Sequence, residues 1–418
     1  MPYKNLYSQQ FKNIPAAKVL EKYRKNCVKI AQKLREEIAS EELAPIDVVF
    51  EKTDLQDFEK LAKKIESSKR FDKILVLGVG GSSLGGKTLA ALKDQYKLEF
   101  LESIDPTTIQ NSLKKIDFKK TFFLVISKSG ETIETICQTL IILDRLKAKK
   151  INNYAQQFLF VTQSQDNSIG KIAKKIKAEI ANHPEKIGGR YSCFSIVGML
   201  PALLCGIDVK KVRSGARKII SEFLENDEII NSCATQLCLY DQGFTNNVIM
   251  PYIDSLKNFT DWYRQLWAES LGKSGFGSTP INSMGTVDQH SQLQLYLEGP
   301  KDKFFTFITQ ENHANDFLIK DLDGCQTLFG GKKLSEIVKV EQETTIEVLN
   351  QKKLPIRLFE IKKLDEEVLG GLMMQCFLET ILISYVKKIN PFDQPAVELR
   401  KDLAKKILKK KSKPKTNA

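Results

Sequence analysis

The chain has 418 residues, a net charge of +13, 42% hydrophobic and 28% charged residues; it is too long for one simple core and ordinary in composition for a globular protein. The charge is uneven: positions 401–418 hold eight Lys and one Asp, so this tail carries +7 and the rest only +6. Lys far outnumbers Arg, whereas nucleic-acid readout favours the arginine fork, so the excess reads as solvated surface and no nucleic-acid partner is expected.

The N-terminus lacks the apolar core of a signal peptide, and the longest nearly apolar run, 371–386, contains Glu379 and is short for a bilayer, so no membrane partner is expected. Eight cysteines without CxxC spacing and three histidines indicate neither a zinc site nor a disulfide framework. The expectation is a cytoplasmic chain with reduced thiols.

Residues 1–68 read as helices, with amphipathic stretches at 17–41 and 55–67. A buried strand follows at 73–77, then Gly78-Val79-Gly80-Gly81-Ser82-Ser83-Leu84-Gly85-Gly86 and a helix over 87–92. The dinucleotide pattern GxGxxG fails because Ser83 takes the third glycine position, although Asp105 supplies an acidic residue after the next strand. Gly81, Gly86, Lys87 and Thr88 match the Walker pattern literally. Three readings stand here: a nucleotide loop, tight strand–helix packing, or a backbone that approaches a ligand with the Ser82 and Ser83 hydroxyls added.

The pattern repeats with strands at 98–104, 121–126 and 157–162 and helices at 107–115, 131–146 and 168–180. Such alternation predicts a parallel sheet covered on both faces, with ligands at the carboxyl ends of its strands. Directly after the 121–126 strand come Ser127, Lys128, Ser129, Gly130, Glu131 and Thr132. Three hydroxyls and a lysine at a strand-to-helix turn suit a phosphate, since the first N–H groups of a helix and its dipole favour an anion; a plain helix cap would need only one of them. Residues 208–241 read as a helical connector. A second series then has strands at 247–252, 304–308 and 356–361 and helices at 256–271, 333–350 and 366–387, before a closing helix at 397–410 and a disordered end. The expected organisation is an N-terminal helical segment 1–68, α/β domains 69–205 and 245–390 around a connector 206–244, and a C-terminal helix and basic tail 391–418.

Four clusters could do chemistry. Arg190 follows Gly188-Gly189, where a guanidinium can project into a cleft or pair on the surface. Gln265 and Glu269 lie four apart on one helix face, and a partly desolvated carboxylate there suits a general base. His290, in Asp288-Gln289-His290, can act as acid or base near pH 7. Asn390-Pro391-Phe392-Asp393-Gln394-Pro395 breaks one helix and starts the next, which carries Lys401 two turns beyond Gln394.

Taken together these stretches, in this order over roughly 70–405, resemble the glucose-6-phosphate isomerase family, built of two sugar-isomerase (SIS) domains. The stretch Asn390 to Gln394 followed by Val397-Glu398-Leu399 and Lys401 carries much of the likeness. Ser-Lys-Ser-Gly-Glu-Thr at 127–132 is similar to the general SIS form, whereas many longer isomerases have Ser-Lys-Thr-Phe-Thr-Thr; Arg400 stands where the family usually has glycine. The likeness accounts for the glycine loop and makes the Walker match coincidental.

The resemblance implies two SIS-type domains, each a mostly parallel sheet flanked by helices, plus N- and C-terminal helices. It implies reversible isomerisation of glucose 6-phosphate and fructose 6-phosphate through a cis-enediol, without metal or cofactor. Ser127, Lys128, Ser129 and Thr132, with the Gly81-Ser82 backbone, would hold the phosphate. Glu269 would shuttle the proton, Arg190 stabilise the enediolate, His290 and Lys401 assist ring opening, and Gln265 and Gln394 position the sugar. The family also implies a homodimer in which His290 reaches the partner's site. Alternatives are an isomerase that also accepts mannose 6-phosphate and a non-catalytic SIS protein that binds sugar phosphates.

Overall fold

The computed structural model describes residues 6–68, 70–93, 97–313 and 315–411. In chain order they form β1 (Tyr7–Lys12), α1 (Ala17–Ala39), α2 (Ala44–Asp47), α3 (Thr53–Ser67), β2 (Lys73–Leu77), α4 (Leu84–Ala90), β3 (Leu98–Leu101), α5 (Pro106–Lys114) and β4 (Thr121–Ile126). There follow α6 (Ile133–Ala148), β5 (Phe158–Thr162), α7 (Ser168–Ile176), β6 (Glu179–Asn182), α8 (Ile196–Leu204), α9 (Val209–Glu225) and α10 (Glu228–Asp241). The second half adds β7 (Asn246–Pro251), α11 (Lys257–Leu271), β8 (Thr279–Asn282), α12 (Leu293–Glu298), β9 (Lys303–Gln310), α13 (Leu334–Gln351), β10 (Ile356–Ile361), α14 (Glu366–Val386) and α15 (Pro395–Lys411).

Two five-stranded sheets result, in the orders β3-β2-β4-β5-β6 and β1-β10-β9-β7-β8. The first is parallel throughout; in the second only β1 runs antiparallel, against β10. Side-chain alternation decides what each face meets. On β4, Phe122, Leu124 and Ile126 join the large core between the sheets, while Phe123 and Val125 join a separate core under α5, α6 and α7. A strand buried on both faces needs the unbroken apolar run that Thr121-Phe122-Phe123-Leu124-Val125-Ile126 provides.

The chain passes from β2 outward to β3, then returns to lay β4 on the other side of β2. The strand order therefore reverses between β2 and β4, and a crevice opens beyond their carboxyl ends. The glycine loop and the 127–132 loop leave those two ends. The second sheet reverses in the same way between β7 and β9.

Some expectations give way. Tyr7–Lys12 is an edge strand rather than helix; its polar sequence hides the pairing, which only β10 supplies. Lys177 takes a left-handed φ of 60° and ends α7, so Glu179–Asn182 becomes edge strand β6 where a longer helix is expected. Strand β8 and helix α8 appear where no strand or helix is expected. The near-apolar run belongs to α14, which by length and composition could cross a membrane but is 89% buried inside the protein. Its Glu379 pairs with Arg357 of β10 and accepts from Gln236, Ser232 and Gln375, which explains a carboxylate in an apolar helix. The expected disorder after residue 411 lies outside the described residues.

Candidate active site

Arg190 is the hub. It stands in a 3-10 turn, Gly189–Phe194, and its side chain is only 2% exposed, so the surface ion pair considered from the sequence gives way to a buried one. Nε donates to Ser270 Oγ at 2.8 Å, and Nη1 to Gln394 Oε1 at 2.8 Å and Glu269 Oε2 at 3.4 Å. Nη2 donates to the carbonyls of Pro391 and Asp393. A buried guanidinium needs such a full set of acceptors, and here they come from two distant stretches, α11 and the turn before α15.

Glu269 keeps 28% of its side chain exposed and can reach a ligand. Its Oε1 accepts from Gln265 Nε2 at 3.1 Å, one helical turn back. The other amide atom, Gln265 Oε1, is buried without a hydrogen-bond partner among the described residues. Gln265 also lies against the glycine loop: a Cβ on Gly80 would come within 2.9 Å of Nε2. On the loop's other side, a Cβ on Gly81 would fall 2.2 Å from the Gly189 carbonyl carbon, so only glycine lets the loop and the arginine turn touch. Ser192 Oγ then donates to the Gly81 carbonyl at 3.1 Å. Gly80, Gly81, Arg190, Gln265 and Glu269 are thus brought together by direct packing, with Ser82 next in the same loop.

The Walker residues do other work. Lys87 is salt-bridged to Glu102 at 2.8 Å, and Thr88 Oγ1 donates to the carbonyls of Leu84 and Asn258. Asp105 caps α5 by accepting from the Thr108 N–H at 2.8 Å. These commitments leave the lysine, hydroxyl and acid of the nucleotide readings engaged elsewhere.

In the neighbouring loop Ser127 is buried; its Oγ donates to Thr132 Oγ1 at 3.0 Å and accepts from the Gly130 N–H at 3.1 Å. Thr132 precedes α6 without capping it, so the first N–H groups of α6 stay available for an anion. Ser129 is exposed, and Lys128 is half-buried, which lowers its ammonium pKa against the opposing charge of Glu185. Glu131, given no role of its own from the sequence, accepts from the N–H and Oγ of Ser168 and so ties the loop to α7. His183 lies near Lys128; burial, aided by that lysine's charge, pushes its imidazole down to about 4 against a contact with the Pro184 carbonyl at 3.0 Å.

Lys401 joins the hub indirectly. Its Nζ donates to Glu398 Oε1 at 2.7 Å, and the same oxygen accepts from Gln394 Nε2 at 3.4 Å. Lys273, which sequence reasoning gives no role, donates to the Asn390 carbonyl and to Asp393, pinning the turn that Arg190 also holds. Ser270, Lys273 and Glu398 are all legible as near neighbours of the candidate residues, at spacings of one, four and three.

His290 is exposed at the end of the 3-10 turn Val287–His290 and makes no hydrogen bond among the described residues. Its neighbours are fixed: Asp288 accepts from the Met284 N–H and Ser291 Oγ, and Gln289 bridges Tyr252 and Glu341. Within one chain, no described contact joins His290 to the arginine hub.

Two α/β layers, with a hydroxyl-lined loop at a strand end and a buried arginine packed against a reachable carboxylate, give the chain a sugar-isomerase (SIS) type fold. The phosphoglucose isomerase family model matches residues 51–418, and the chain belongs to that family. It is 34% identical to the probable glucose-6-phosphate isomerase of Methanococcus maripaludis, over 97% of this chain and 93% of that protein. Among solved structures, a hypothetical protein of Thermus thermophilus superposes with a TM-score of 0.85 and 26% identity, covering 96% of this chain and all of that one. A glucose-6-phosphate isomerase from Chlamydia trachomatis shares the fold, with a TM-score of 0.72 and 22% identity over 86% of this chain and 74% of that one.

Proposed function

We propose that this chain interconverts glucose 6-phosphate and fructose 6-phosphate, the step that joins these sugars in glycolysis and gluconeogenesis. Ser127, Lys128, Ser129 and Thr132, with the Gly81-Ser82 backbone and the uncapped start of α6, hold the phosphate. Once the ring is open, Glu269 takes the proton from C2; that electron pair forms the C1–C2 double bond and the carbonyl oxygen becomes the enediolate oxygen. The C2 hydroxyl gives its proton to the enediolate oxygen on C1, which becomes a hydroxyl, and as the C2 oxygen becomes the ketone Glu269 returns its proton to C1. Arg190 faces the developing negative charge, where a pre-placed cation counts most. Gln265 and Gln394 orient the sugar, and His290 and Lys401 move protons at the ring oxygen and hydroxyl.

The observation that carries this reading is the Glu269 carboxylate, reachable from solvent yet held between the Gln265 amide and a guanidinium that four further acceptors fix. The test is a coupled assay on Glu269→Gln. Sugar-phosphate binding should persist while turnover falls at least ~100-fold, the scale of a lost general base. Unchanged turnover removes Glu269 from this role.

The working unit we propose is a homodimer in which His290 serves the partner's site. An exposed histidine on a braced turn supports this, as do Phe317, Leu318, Leu322, Leu328 and Phe329, each at least 50% exposed on the segment between β9 and α13. An apolar face of that kind fits an interface. Mixing inactive Glu269→Gln and His290→Ala chains should regain activity if subunits share sites. The units we assign are SIS-type domains at 69–205 and 245–390 around the connector 206–244, with 1–68 and 391–418 as terminal segments. Eight unpaired cysteines agree with a reducing, cytoplasmic setting.

A further inference from the structure

We propose that Glu398 is a positioning residue of this site, holding the Lys401 ammonium and the Gln394 amide in register with Arg190. The assignment rests on the isomerase reading above. Residues 394, 398 and 401 lie at helical spacings of four and three at the start of α15, so their side chains share a face. Glu398 Oε1 accepts from both Lys401 Nζ, at 2.7 Å, and Gln394 Nε2, at 3.4 Å.

Gln394 can satisfy its two neighbours in one orientation only. Its nitrogen faces the Glu398 carboxylate, and its oxygen accepts from Arg190 Nη1 at 2.8 Å. Flipping the amide would set a donor against a guanidinium and an acceptor against a carboxylate. Glu398 therefore reinforces the amide orientation that the arginine also needs, and it is the sole hydrogen-bond partner of the Lys401 ammonium among the described residues. Other charges nearby include Lys405 and, one helical turn on, Asp402 of the same helix, Arg190 beyond Gln394, and Lys273 paired with Asp393 on the preceding turn. Lys401 and, behind it, Gln394 hold the carboxylate of Glu398 below the usual glutamate range, against partial burial.

The pair is about half exposed, so its loss should leave folding intact. The test compares wild type, Glu398→Gln, Glu398→Asp, Lys401→Ala and the Glu398→Gln/Lys401→Ala double variant with glucose 6-phosphate. For Glu398→Gln, kcat should fall on the order of tenfold, the scale of a lost charged hydrogen bond, with KM changed by less than about threefold because the phosphate loop is untouched. Glu398→Asp should recover part of the lost kcat, and Glu398→Gln should cost little more when Lys401 is already absent. A wild-type kcat, an equal loss in the Lys401→Ala background, or a loss confined to KM or melting temperature would overturn the assignment. Wild-type protein without turnover would remove the isomerase reading and this assignment together, whereas an active wild type with an indifferent Glu398→Gln removes the assignment alone.

Discussion

Lys273 and Asp393 lie 120 residues apart, yet Lys273 Nζ donates to both the Asp393 carboxylate at 2.8 Å and its carbonyl at 2.7 Å. With Arg190 it fastens the turn that presents Gln394, so two cations hold a segment with no regular structure of its own. Lys273→Ala should loosen the turn, cost about 1–2 kcal/mol of stability as a partly buried charged contact, and lower kcat about tenfold. Thermal melting and the coupled assay check the two effects separately.

Arg190 cannot be replaced by its nearest relative. A lysine has one compact ammonium where the site uses a planar fork to reach Ser270, Glu269, Gln394 and two carbonyls at once. Arg190→Lys should lower kcat by about 10²–10³, the scale of a lost charge-stabilising donor, and should also lower the melting temperature because buried acceptors lose partners. A variant with wild-type kcat would show that the guanidinium does not face the developing charge.

The loop proposed to hold the phosphate depends on Gly130. Its φ is 64°, and a Cβ there would lie 2.0 Å from the Asn167 side chain. Asn167 is itself fixed, accepting from the Gly170 N–H and donating to Thr162 Oγ1. Gly130→Ala must therefore shift the loop away from α7. Affinity for inorganic phosphate, read by calorimetry, should fall about tenfold or more, the scale of one or two lost hydrogen bonds to a charged group. Unaltered affinity would move the phosphate elsewhere.

His183 links stability to acid pH. Its folded pKa of about 4 lies below the ordinary histidine value near 6.5. Between those values the unfolded chain binds a proton that the folded chain refuses, so stability rises with pH across that window. The contribution is present in full above about pH 6.5 and is lost as pH falls toward 4, by an amount on the order of 3 kcal/mol. Urea melts of wild type and His183→Gln from pH 7 to 4 should diverge, the variant showing the shallower decline.

Much of this protein is written locally. The β-branched and aromatic run at 121–126 could only be a doubly covered strand, and the hydroxyls after it could only sit at that strand's end. Gln265 and Glu269, and Gln394 and Lys401, share helix faces by spacing alone, because 3.6 residues make a turn. By contrast, Tyr7–Lys12 is illegible in the sequence, since nothing in a polar hexapeptide says that β10, some 350 residues away, leaves an edge open.

The amino-acid order by itself thus determined the alternation of strands and helices, the two loops at strand ends, and the residue types an aldose–ketose isomerase needs. Only the tertiary structure decided that Arg190 is buried against Glu269 and Gln394, that Lys87 is engaged by Glu102, and that His290 stands apart from its own chain's hub. The physical reason is range. Helical and strand periodicity act over a few residues, whereas a buried guanidinium finds acceptors 79 and 204 positions away only after both sheets have packed around it.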